Sequence, residues 1–193
     1  MNNKSAQFKN SNKGGFTLIE LLVVITIMTI MTGIGAGIFT GANQKLRVQK
    51  AASSLLMMAQ YARMSAIEEQ RAYKLYVDNT NNEFYLATTD FDDNGAAQEI
   101  IIDNSFCAPV TLNSPIAIED VRVLSNDYSL GNTSKNMYLI AFAPDGTSQD
   151  SLVQIGDGQV HYTLSINEIT GKTKLYPTIA DNVKIDTIDL DAQ

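Results

Sequence analysis

Gly14-Gly15-Phe16-Thr17-Leu18-Ile19-Glu20 opens a run that stays almost wholly apolar to Phe39. The 24 residues from Phe16 to Phe39, wound as a helix at about 1.5 Å of rise each, exceed the roughly 30 Å hydrocarbon core of a bilayer. The run therefore predicts a membrane-spanning helix over residues 16–39. Glu20 is the anomaly within it. A charged side chain facing lipid is costly, so an acid at this depth points to a functional group with a partner, and the nearest candidate partner is an amine.

Residues Met1 to Gly15 are polar, contain Lys4, Lys9 and Lys13, and include no acid. A secretory signal places its apolar region before the cleavage site, whereas here Gly14-Gly15 precedes the apolar run. Cleavage after Gly15 would leave the apolar segment on the mature chain and create a new amine at Phe16. That amine could pair with the Glu20 carboxylate of a neighbouring copy. Charges do not orient the segment, because Lys4, Lys9 and Lys13 on one side balance Lys45, Arg47 and Lys50 on the other.

These residues resemble the class III prepilin signature of the type IV pilin and type II secretion pseudopilin superfamily. The resemblance lies in glycine before the cut, Phe16 after it, Glu20 at the fifth mature position and Leu21-Leu22-Val23-Val24-Ile25 beyond. It implies that residues 1–15 are a cytoplasmic leader removed by a prepilin peptidase, with Gly15 and Phe16 flanking the cut and Phe16 N-methylated. It further implies a single-pass inner-membrane protein with its amino end in the cytoplasm and its carboxyl-terminal domain in the periplasm. Subunits would assemble through Glu20 and Phe16 into a filament, on an inner-membrane assembly platform and beside other pilin or pseudopilin subunits.

Beyond the span, residues 44–71 lack proline and glycine, and Val48, Ala52, Leu55, Ala59, Ala62 and Ala66 recur at helical spacing. The helix is thus expected to continue over 40–71 with one apolar stripe. Gly33, Gly35, Gly37 and Gly41 weaken it between the two parts, where a bend or local melting is expected. Met57, Met58 and Met64 read as packing residues. After Arg71 the period changes to that of strands, and residues 72–193 read as a β-rich periplasmic domain. Tyr73 to Val77 and Glu83 to Ala87 flank Asp78-Asn79-Thr80-Asn81-Asn82 as a β-hairpin. Further strands are expected over Gln98 to Ile102, Ile116 to Leu124, Met137 to Phe142, Val153 to Ile155, Gln159 to Ile166 and Thr173 to Tyr176, with a last strand or loose tail over Val183 to Ile188.

The expected fold is α+β: a long amino-terminal helix packed on an antiparallel sheet or small β-sandwich, as in pilins. Ala62-Arg63-x-x-Ala66-Ile67, the Tyr73 to Ala87 hairpin, Phe142-x-Pro144-Asp145-Gly146 and Thr170-Gly171-Lys172 resemble the minor pseudopilin H and FimT-like group. That resemblance implies a structural subunit of a periplasmic pseudopilus that helps export folded proteins. A minor type IV pilin, serving pilus assembly or DNA uptake, is the alternative.

Charge and residue usage limit other functions. From residue 72 onward there are 18 acids against 6 Lys or Arg, a surface that repels phosphates and argues against nucleic-acid binding. Cys107 is the sole cysteine, so no intramolecular disulfide forms, and it reads as a small buried hydrophobe. Alternation over Gln159 to Ile166 turns His161 outward into solvent. No nucleophile has a paired base in the sequence, so the chain reads as a non-enzyme without a cofactor, and pairs such as Asp92-Asp93 and Glu119-Asp120 read as solvated turns. Asp90, Asp92, Asn94 and Gly95 stand at the first, third, fifth and sixth positions of an EF-hand-like loop, but the twelfth is Ile101 and Glu99 comes two residues early. This reads as an Asp/Asn/Gly turn, with calcium as the alternative.

Overall fold

One helix, α1 (Leu18–Glu69), runs through the apolar segment and on to the edge of the β-rich region. The computed structural model describes residues 15–91, 95–104, 106–124, 132–134 and 136–183, with backbone alone for 33–42 and 132–134. The α1 backbone stays helical across Gly33, Gly35, Gly37 and Gly41, so the expected melting does not occur. Hydrogen bonding along the ladder outweighs the modest propensity loss at each glycine. Two compact units divide the chain, Met1–Asn43 and Gln44–Gln193.

In the second unit the stripe predicted on α1 is the helix's buried face. Val48, Ala52, Leu55, Ala59, Ala62 and Ala66 are each no more than 1% exposed. The stripe is rich in alanine, and so admits close approach of the strands' larger side chains. Phe84, Leu86, Leu75, Ile140 and Phe142 from one sheet and Val153, Ile155, Leu164 and Ile166 from the other join it in one core. Met58 belongs to this core, but Met57 and Met64 are 60% and 65% exposed, which corrects their reading as packing residues. They lie on the opposite side of the helix from the stripe, in a groove of about 920 Å³ lined also by Ile67 and Phe106.

The strands are β1 (Tyr73–Asp78), β2 (Glu83–Phe91), β3 (Ala97–Ile101), β4 (Val110–Thr111), β5 (Ala117–Leu124), β6 (Asn132–Ser134), β7 (Met137–Phe142), β8 (Asp150–Gly156), β9 (His161–Ile166) and β10 (Thr173–Tyr176). They form two antiparallel sheets, ordered β3-β2-β1-β7-β6 with β4 also on β2, and β10-β9-β8-β5. The α+β fold with a small sandwich is therefore present. The β1–β2 hairpin closes through its Asx turn: Asp78 Oδ1 accepts from the backbone N–H groups of Thr80 at 2.7 Å and Asn81 at 3.1 Å. The expected strand over Val183 to Ile188 falls, after Val183, outside the described residues.

Three motif fragments far apart in sequence meet at the end of α1. Arg63 Nε donates to the Thr170 carbonyl at 2.7 Å, and Gly146 lies against the Ile67 side chain. Gly171 has φ +57° and faces both the Gly146 carbonyl and Arg63, leaving no room for a Cβ. Gly171→Ala therefore incurs left-handed strain and a backbone clash together, and is expected to lower unfolding stability by about 2 kcal/mol or more. Urea denaturation of wild type and variant measures this.

Candidate functional site

The residues flagged at the amino terminus stand together. Thr17 is the residue before α1, and Glu20 is the third of the helix. The Thr17 backbone N–H and hydroxyl donate to Glu20 Oε2 at 3.0 and 2.9 Å, while the Glu20 N–H approaches Thr17 Oγ1 at 3.3 Å. This reciprocal arrangement is a capping box. The Thr-x-x-Glu spacing that signals it is visible in the sequence, yet Thr17 is absent from the candidate residues read there. Glu20 thus has a local partner within its own chain, set by the need to satisfy orphan N–H groups at a helix start.

Before the helix, Gly15 and Phe16 lie outside regular structure and are exposed. A Cβ at Gly15 would meet nothing within 4 Å, and Phe16 is 87% exposed. From Phe16 to Met31 all the large apolar side chains are exposed, the least at 47%, an uncovered apolar surface far beyond what an isolated soluble helix presents. Along this part of α1 Thr26, Thr29 and Thr32 each return their hydroxyl to the carbonyl four residues earlier at 2.7 Å. Their polar atoms are satisfied without water, as apolar surroundings require. Among the described residues no helix is long and apolar enough to cross a membrane, and the expected span over 16–39 includes side chains outside them.

Of the EF-hand-like positions, Asp90 and Gly95 fall within the described residues. Asp90 sits exposed at the end of β2, with Oδ1 accepting from the Phe91 N–H at 2.9 Å, and Asp92 and Asn94 lie outside the described residues. Among the described residues no three His, Cys, Asp or Glu side chains are grouped to hold a metal. Cys107 is 2% exposed in the core, where burial pushes its thiol up to about 11.

Two expectations from the sequence need correction. Glu119 is in strand β5, not a solvated turn, and His161 is not a free surface histidine. His161 Nδ1 lies 2.7 Å from Glu119 Oε2, Gln154 Nε2 donates to the same oxygen at 2.6 Å, and the Gly158 N–H donates to Oε1 at 3.0 Å. Gly156, paired opposite His161 across β8 and β9, leaves the space that the Glu119 carboxylate fills. A register shift between Ile118 and Asp120 is what turns Glu119 onto this spot, and alternation alone could not reveal it. The cluster ties three strands together.

Burial raises the Glu119 carboxyl, but the hydrogen bonds from Gln154, His161 and Gly158 and the histidine's charge outweigh it and hold the pKa below its ordinary 4.5. A depressed folded-state pKa adds stability that is complete above the unfolded value and is lost as pH falls through the folded one. Wild type is therefore expected to lose stability as pH drops below about 4.5, with a shallower slope in Glu119→Gln. Denaturant midpoints collected across that range check the difference.

Comparison with known proteins agrees with this geometry at both ends of the chain. Residues 10–36 match the family described as the prokaryotic N-terminal methylation motif. No curated protein sequence aligns with the chain. Two solved structures of the minor pseudopilin EpsH from the type II secretion system of Vibrio cholerae share its fold. One has a TM-score of 0.51 at 11% identity, covering 68% of this chain and 97% of EpsH. The other has a TM-score of 0.52 at 12% identity, covering 71% and 99%. The chain is thus pilin-like, an α+β fold behind a prepilin-type methylation motif. Its fold is similar to that of the minor pseudopilin EpsH.

Proposed function

We propose that this chain is a structural minor pseudopilin of a type II secretion pseudopilus, processed between Gly15 and Phe16 and N-methylated on Phe16. The observation that supports it most strongly is the coincidence, in one chain, of the methylation motif over residues 10–36 with the minor-pseudopilin fold beyond it. In this reading residues 16–39 anchor the chain in the inner membrane and the β-rich unit stands in the periplasm. The exposed apolar side chains of Phe16 to Met31 are then covered first by lipid and later by neighbouring helices, which removes their contact with water. Glu20 leaves its own Thr17 to meet the new amine of an adjacent subunit. The acidic β-rich unit disfavours the DNA-uptake reading.

Deleting the gene in its own organism tests the assignment. Folded proteins should accumulate in the periplasm while surface pili and transformation persist. Loss of pili with secretion intact would overturn it in favour of a minor type IV pilin.

A further inference from the structure

β3 is the described strand in which every residue is exposed, and among the described residues it pairs with β2 alone, ending its sheet. The phase of the ladder is fixed by the Ile102 N–H, which donates to the Leu86 carbonyl at 2.8 Å. With Thr88 opposite Ile100 and Asp90 opposite Gln98, alternation gives Ile100 and Gln98 the bonds to β2. The backbone N–H and C=O of Ala97, Glu99 and Ile101 then turn to the open side. Phe91, Ile100 and Ile101 are 69%, 42% and 53% exposed, so the outer half of β2–β3 is a two-stranded ribbon with little core behind it. Such a ribbon is marginal alone and becomes stable with a third strand.

Charge selects what that strand can be. Residues 90–103 contain Asp90, Asp92, Asp93, Glu99 and Asp103 and no Lys or Arg. A second copy of this chain would bring the same acids against them, and like charges across a strand pair are unfavourable. We infer that the β3 edge receives an extended, Lys- or Arg-bearing segment of a different pilin-like subunit, which adds a strand through Ala97, Glu99 and Ile101. Lys74 already neutralises Glu99 at 2.9 Å, and Arg71 stands in the field of Asp90, so among the described acids it is the exposed Asp103, just past the strand, that is placed to meet an incoming base.

This rests on the chain being one subunit of a mixed filament, and the test separates the two. Full-length chains bearing Ile101→Pro or Ile101→Ala are expressed with the other subunits of the system and isolated through a carboxyl-terminal tag. Proline removes the outward N–H without touching the β2 bonds, and alanine removes the same apolar surface but keeps the N–H. Alanine should hold association with the other subunits within about twofold of wild type, and proline should cut it by about tenfold, with unchanged thermal midpoints. Asp103→Lys, which leaves the backbone intact, should weaken association as well. Equal association of the proline and alanine variants, stronger association of Asp103→Lys, or a cross-link from residue 101 to a second copy overturns the edge proposal. Wild type isolated with no other pilin-like subunit overturns the filament reading itself.

Discussion

Gly15→Leu is expected to leave the whole population as uncleaved precursor in the membrane, still carrying Lys4, Lys9 and Lys13. A Cβ added at residue 15 meets nothing within 4 Å of its own chain, and residue 15 precedes the helix. The substitution therefore costs the fold almost nothing, and any effect reports recognition of the cut. Without cleavage the Phe16 nitrogen stays an amide, and no amine exists for Glu20 to meet. Immunoblotting of membrane fractions separates precursor from mature chain by the 15 residues of the leader. A mature-sized band from Gly15→Leu would remove the peptidase reading.

Glu20→Gln is expected to insert and to be cleaved normally, yet to enter filaments about tenfold less well or worse, as follows from losing a charge-assisted contact. The structure makes this substitution cleaner than the sequence suggests. Glutamine at the third helical position still accepts the Thr17 N–H, because a capping box works with either side chain. The helix start survives and only the charge disappears. Thr17→Val is the complementary control: it weakens the cap and keeps the carboxylate, so helix stability falls while assembly should persist. Incorporation of Glu20→Gln at the wild-type level would show that charge pairing with a neighbour's amine has no part in assembly.

Much of the architecture was legible because it is written in local periodicity. The α1 stripe from Val48 to Ala66 and the strands Met137–Phe142 and Thr173–Tyr176 follow from spacing alone, since one face of each must be apolar to reach the core. What local spacing cannot show is where a register shift turns a side chain. Glu119 and His161 are 42 residues apart, and nothing near either announces the other. The same limit explains the methionines: Met57, Met58 and Met64 look alike in sequence, but only Met58 falls on the side of α1 that faces the sheets. β4 and β6 are too short to carry a period. At the amino terminus Glu20 stood out among apolar residues, while the capping role of Thr17 emerged only with the helix start in place. The Arg63, Gly146 and Gly171 junction shows the converse, since fragments that resemble a family motif separately prove to be a single packed corner.

The central claim is that residues 1–15 are a leader whose removal makes Phe16 an assembly group. The mass of the amino-terminal peptide of wild-type chain isolated from its own inner membrane tests it most directly. The account predicts a peptide that begins at Phe16 and is heavier by one methyl substitution on its amine. A peptide that begins at Met1 or Asn2, or within the region around Thr40, would contradict it.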